Sequence, residues 1–226
     1  MKKLSLILAC GLAIGALSSA YAAGPKTVWK DPSGDVDAGG TGSSNPVGDQ
    51  SGFDLTAGSI QRKGSNLIFT VKHKVMPPFG AVPEAFRFMW GFTVNGKAYR
   101  ITAKRAEIGK PNPMTQEDTD QIGKVYPNGF FKLEGHCGST VVGTLNAINC
   151  HTLGYLKGTW NPGKATFTVT VPMKKVKARP GSKVGPGSGD SISICAICWV
   201  THAAERSLNT TIVDSAAQTA TYRVPR

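Results

Sequence analysis

Phe86-Arg-Phe-Met-Trp-Gly-Phe-Thr-Val94, then Asn95-Gly96, then Lys97-Ala-Tyr-Arg-Ile-Thr-Ala-Lys-Arg105 is the stretch that decides the fold class. Phe86, Phe88, Trp90, Phe92 and Val94 occupy every second position, which in an extended chain puts them on one face of a strand. Asn-Gly follows at once, the pair best suited to the left-handed backbone of a two-residue hairpin turn. With that turn Phe92 faces Tyr99, Trp90 faces Ile101 and Phe88 faces Ala103, so both strands bury the same side and Trp90 belongs to the core.

The same alternation recurs on either side. Leu67, Phe69, Val71, His73 and Val75 share one face of a segment over 67–75, and Ala165 to Val171 alternates until Pro172 stops it. Ser191 to Cys195 and Thr219 to Val224 supply two more short runs, and no long window shows helical spacing. Short strands separated by Gly, Pro and Asn turns predict an all-β chain, an antiparallel β-sandwich of jelly-roll-like form. Lys174 to Asp190 and Pro111 to Pro127 read as exposed loops, the first of them basic. Composition agrees: 226 residues suit a single domain, and 18% charged residues argue against disorder.

The chain opens with Met1-Lys2-Lys3, an apolar stretch from Leu4 to Leu17, and Ala20-Tyr21-Ala22, the three parts of a signal peptide. Cleavage after Ala22 is expected, with residues 1–22 as leader and 23–226 as the β-sandwich domain. A lipoprotein site before Cys10 would leave a shorter apolar region than such leaders carry. Gly24-Pro25-Lys26 follows rather than a stop-transfer pattern, so no transmembrane span is expected in the mature chain. The product is predicted to be secreted, extracellular or periplasmic.

The full chain has 26 Lys+Arg against 14 Asp+Glu, a net charge of +12, and loss of Lys2 and Lys3 leaves it strongly basic. That charge favours anionic partners such as acidic carbohydrate or another anionic envelope polymer. Lys97, Arg100, Lys104, Arg105 and Lys110 form one group, and Lys174, Lys175, Lys177, Arg179 and Lys183 another; meeting in space, they would make a positive face. Aromatic residues do not interleave with these runs, and no specific nucleic-acid motif is present.

Loss of Cys10 leaves Cys137, Cys150, Cys195 and Cys198, and in an oxidising compartment disulfides are the default. Three pairings are open. Cys137 with Cys150 and Cys195 with Cys198 is the favoured set, the second bond requiring a turn at Ala196-Ile197 because residues three apart in a straight strand point to opposite faces. A zinc site using His136, Cys137, Cys150 and His151 beside the later CxxC is the competing reading.

Asp31, Asp35, Asp37, Asp49 and Asp54 cluster in a segment with no Lys or Arg between Lys30 and Arg62. Calcium takes several carboxylate and carbonyl oxygens from Gly-containing loops of this kind, although the spacing is not that of an EF-hand. Solvated turns capped by Asp are the alternative. Trp29-Lys30-Asp31-Pro32-Ser33-Gly34-Asp35, then Asp54-Leu55, then Gly64 to Val71, resembles the opening of exported bacterial β-sandwich domains related to the family-nine carbohydrate-binding modules and DOMON-like domains. Gly158-Thr159-Trp160 before Thr166 to Pro172, Pro180-Gly181-Ser182, and Asp214 to Val224 are similar in order. The resemblance implies a jelly-roll-like sandwich, often calcium-stabilised, that serves as a non-catalytic binding or surface module. It supports Asp31, Asp35 and Asp54 as Ca²⁺ ligands, with Asp49 added from the acidic segment.

Carbohydrate binding calls for exposed rings, and Trp29, Tyr155 and Trp160 are the leading candidates, with Tyr126 and Trp199 behind them. Exposed, coplanar Trp29 and Trp160 would favour a glycan site, whereas burial of the aromatics would favour a purely structural domain. His73, His136, His151 and His202 invite a hydrolase or haem reading, yet neither Gly-x-Ser-x-Gly nor His-Glu-x-x-His occurs, and no enzyme activity is expected.

Overall fold

A computed structural model of the chain describes residues 24–33, 54–76, 86–105, 130–142, 145–187, 192–195 and 212–226. The strands are β1 (Lys26–Lys30), β2 (Leu55–Lys63), β3 (Asn66–His73), β4 (Phe86–Val94), β5 (Lys97–Arg105) and β6 (Phe130–Val142). They continue with β7 (Leu145–Asn161), β8 (Thr166–Pro172), β9 (Lys183–Pro186), β10 (Ile192–Cys195), β11 (Ile212–Ala216) and β12 (Tyr222–Arg223). Short 3-10 turns cover Pro162–Lys164 and Met173–Val176. Among the described residues no helix is long and apolar enough to cross a membrane.

The chain is all-β and antiparallel, with strands in the order β1-β2-β3-β8-β7-β6-β5-β4-β10-β11 and β9 bridging β4 and β12. The expected jelly-roll-like sandwich is not seen; among the described residues the strands follow one continuous path, coiled almost into a barrel. Long β7 causes this: its residues 145–156 pair with β6 and its residues 157–161 with β8. Gly154, at φ +126, and Gly158 stand where it passes from one neighbour to the other. A Cβ on Gly158 would lie 2.4 Å from the Phe131 ring, so the corner needs a residue without one.

The hairpin that fixed the fold class is present in the expected register. Phe92 pairs with Tyr99, Trp90 with Ile101 and Phe88 with Ala103, and the turn places Asn95 at φ 49 and Gly96 at φ 80. Phe88, Trp90 and Phe92 meet the other half of the sheet in an aromatic core. Phe69 approaches Trp90 at 5.0 Å and Phe92 at 4.9 Å, Phe88 meets Phe167 at 5.1 Å, and Trp29 meets Trp90 edge-on at 5.6 Å. Strand β3 buries Leu67, Phe69, Val71 and His73 as its alternation requires, but it ends there, and Val75 is exposed.

The seam between β1 and the far end of the path is spanned by residues 216–225. Thr219 N and Ala220 N both donate to Val28 O, Arg62 N donates to Tyr222 Oη at 2.7 Å, and Arg62 Nη1 to Pro225 O at 2.7 Å. Buried Gln218 accepts from Trp90 Nε1 and donates to Ala220 O, which ties this segment to the core through satisfied polar groups. Within the expected loop over 174–190, the described residues 174–187 are more structured than their Gly and Pro content suggests. Met173 and Val176 are buried by the 3-10 turn, and Val184 by β9.

Candidate functional site

Turns joining distant parts of the sequence assemble one end of the sheet. The β2–β3 turn, with Gly64 at φ +60, accepts Met173 N on Ser65 O and so holds the Met173–Val176 turn beside it. At the next connection the β4–β5 tip is locked to β9. Asn95 N donates to Lys183 O, Lys183 N to Asn95 Oδ1, and Asn95 Nδ2 to Ser182 Oγ. Gly181 N donates to Val224 O and Val224 N to Ser182 O, which draws in the last residues.

The outcome is electrostatic. Lys63, Lys97, Lys174, Lys177, Arg179 and Lys183 reach solvent on these turns, and exposed Arg223 and Arg226 join them. None of the acidic residues among the described residues stands on these turns. Like charges gathered without a carboxylate raise the local positive potential and attract anions over a Debye length, about 8 Å at physiological salt. Of the first basic group in the sequence, Lys97 follows the Asn95-Gly96 turn that is bonded to Lys183 of the second. Lys104 and Arg105 lie at the opposite end of β5, while Lys110 lies outside the described residues. Lys63, Arg223 and Arg226 escaped the sequence reading because only strand pairing brings them to this end.

Arg100 has a different fate. Its Nε donates to Glu134 Oε2 at 2.7 Å, Thr102 Oγ1 donates to the same oxygen at 2.6 Å, and Lys132 Nζ lies 3.3 Å from Oε1. Burial by itself would raise the Glu134 pKa. The hydrogen bond and charge of Arg100, the charge of Lys132 and the Thr102 hydrogen bond outweigh it and hold the carboxyl at about 2.

The other end of β2 carries two of the expected calcium ligands, Asp31 and Asp54. Asp54 is 1% exposed, with Ser33 Oγ 3.4 Å and Lys74 Nζ 3.5 Å from its Oδ2, and Asp31 N donates to Thr56 O close by. Asp35 and Asp49 lie outside the described residues, within which no group of three or more His, Cys, Asp or Glu side chains converges. Two carboxylates and a hydroxyl fall short of the six to eight oxygens calcium takes, so the described residues do not by themselves make its site.

Trp29 and Trp160 pack inward, whereas Tyr155 pairs with Lys132 on the opposite face of the sheet. Trp29 is 1% exposed, so its indole offers no face for a sugar. The space it fills is provided by Gly58, where a Cβ would lie 2.0 Å from Trp29 Nε1. Trp160 is half-buried between Phe131, at 4.8 Å, and Phe167, at 4.9 Å, and half-buried Tyr155 meets Phe130 edge-on. Trp29 and Trp160 thus do not form an exposed coplanar pair. His73 is a core residue against Phe167.

Cys137 and Cys150 stand on the neighbouring strands β6 and β7. Gly135 pairs with His151 and Gly138 with Asn149, so both cysteines fall in the irregular interval between these pairs. Cys195 ends β10, and Cys198 lies outside the described residues, as do Tyr126, Trp199 and the leader 1–22. Compared with family models, curated proteins and solved structures, the chain matches none.

Proposed function

We propose that the protein is an exported, non-catalytic binding module that holds an anionic envelope polymer or acidic carbohydrate at its basic end. The observation that supports this best is the convergence of cations from four separate parts of the chain on turns that carry no carboxylate among the described residues. A chain that needed charge only for solubility would gain nothing from concentrating one sign at one end, where self-repulsion works against folding. The same proposal assigns Ca²⁺ to the corner of Asp31 and Asp54, completed by Asp35 and Asp49 as a brace for the acidic connection. A purely structural domain is the second reading, and the burial of Trp29 favours it.

The test is retention of the purified protein on an immobilised polyuronate across a salt gradient. Binding that weakens steeply with salt is expected, together with clearly earlier elution of a Lys174→Gln/Lys177→Gln/Arg179→Gln variant. If the protein is not retained at low salt, the structural reading replaces this one.

A further inference from the structure

The outward face of β1, β2, β3, β8 and the end of β7 carries an ordered array that plays no part in the core. Strand register aligns Thr27 with Ser59, Ser59 with Thr70, Thr70 with Thr168, and Thr168 with Thr159. Paired residues in antiparallel strands project to the same side, so a row of hydroxyls crosses five adjacent strands. Adjacent side chains confirm the direction: Val28, Ile60, Phe69, Val71, Phe167 and Val169 are buried on the other face. The Thr159 and Thr168 hydroxyls are already 2.7 Å apart and hydrogen-bonded to each other.

Cations flank the row. On one side Lys30 and Lys72 share a register line with Ala57, Thr166 and Asn161; on the other, Lys157 pairs with Thr170 and Gln61 with Ile68. No Asp or Glu stands on this face among the described residues. It continues past Asn66 and Lys63 into the basic end.

We infer that this hydroxyl row is the track on which an acidic polysaccharide lies, extended across the strands. The inference rests on the proposed binding of an anionic polymer and names both the polymer class and the surface. Strand spacing sets a hydroxyl every ~4.8 Å along the row, comparable to one sugar in an extended chain. Hydroxyls both donate and accept, which suits a partner that presents hydroxyls and ring oxygens. The lysines on both sides supply the charge that carboxylates or sulfates on the chain require. A nucleic acid would instead want stacking rings, and among the described residues none stands on this face.

The experiment compares equilibrium binding of polygalacturonate, an uncharged dextran and single-stranded DNA to the wild type, Thr70→Val/Thr168→Val, Lys72→Gln/Lys157→Gln and the basic-end variant. Valine keeps the β-branched shape that suits a strand, and circular dichroism and thermal unfolding check that each variant folds. The expected result is polygalacturonate affinity about tenfold weaker for the valine variant, as loss of a few hydrogen bonds predicts. Comparable weakening is expected for the lysine variant, with little binding of dextran. Wild-type binding that both face variants retain, while the basic-end variant loses it, overturns the track and leaves the proposed function standing. Tighter binding of DNA than of polygalacturonate overturns the polymer class, and absence of binding by the wild type overturns both readings.

Discussion

The outward faces of the two halves of the sheet handle positive charge in opposite ways. On β5 and β6, Arg100 and Lys132 are turned onto buried Glu134, so the cations are answered from within the chain. On β1, β2, β3, β8 and the end of β7, Lys30, Lys72 and Lys157 border a hydroxyl row with no carboxylate among the described residues. Paired buried charge serves the structure of a domain, because removing one partner leaves the other desolvated. Exposed charge with no carboxylate beside it among the described residues is what the proposed binding surface requires.

The largest effect expected from breaking this contrast lies at Glu134. Glu134→Ala would take from Arg100 the carboxylate it is bonded to, at a cost of about 3–5 kcal/mol of unfolding free energy, measurable by urea denaturation. An exposed lysine pair on the open face, by contrast, should change stability by no more than about 0.5 kcal/mol. Equal losses would remove the distinction between the faces.

Acid sharpens the same comparison. The folded Glu134 pKa of about 2 lies below its ordinary 4.5, so its stabilisation is fully present above pH 4.5 and lost as pH falls toward 2. The expected loss is on the order of 3 kcal/mol, and Glu134→Gln should flatten the stability profile in that window. A wild-type profile unchanged between these limits would show that the buried pair is not set as described.

A smaller effect is expected where the open half meets the core. Gly58→Ala would push a methyl into the Trp29 indole and destabilise the protein by about 1–3 kcal/mol, with a change in the near-ultraviolet circular dichroism of the tryptophans. Because Trp29 and Thr27 share β1, polygalacturonate binding should weaken with it. Full binding by this variant would separate the hydroxyl row from the packing beneath. The smallest effect is expected from calcium. Added Ca²⁺ should raise the unfolding midpoint by a few degrees over protein in EDTA, and Asp31→Ala/Asp35→Ala should abolish the response. Identical midpoints would assign the acidic corner to solvated turns.

Much of the hydrogen-bonded path was legible in local pattern. Alternation in 86–94, 67–75 and 165–171 marked strands β4, β3 and β8, with β3 ending at His73 and β8 running from Thr166 to Pro172, and Asn95-Gly96 marked the hairpin register. Tertiary pairing overruled local composition in Lys174 to Pro186, where Val176 and Val184 are buried despite the surrounding Pro and Gly. For Trp29 the sequence left exposure and burial both open, and Gly58 on the neighbouring strand makes the room in which it is buried.

The sequence by itself determined the all-β class, the faces of the main strands, the basic charge and the acidic segment, because each depends on residues near one another in the chain. Tertiary structure alone decided that the Asn95 turn preceding Lys97 is joined to Lys183, that Arg100 turns to Glu134, and that Thr27, Ser59, Thr70, Thr168 and Thr159 form one row. Strand order and register between distant segments set those neighbours, and a period of two records which way a side chain points but not which strand lies beside it.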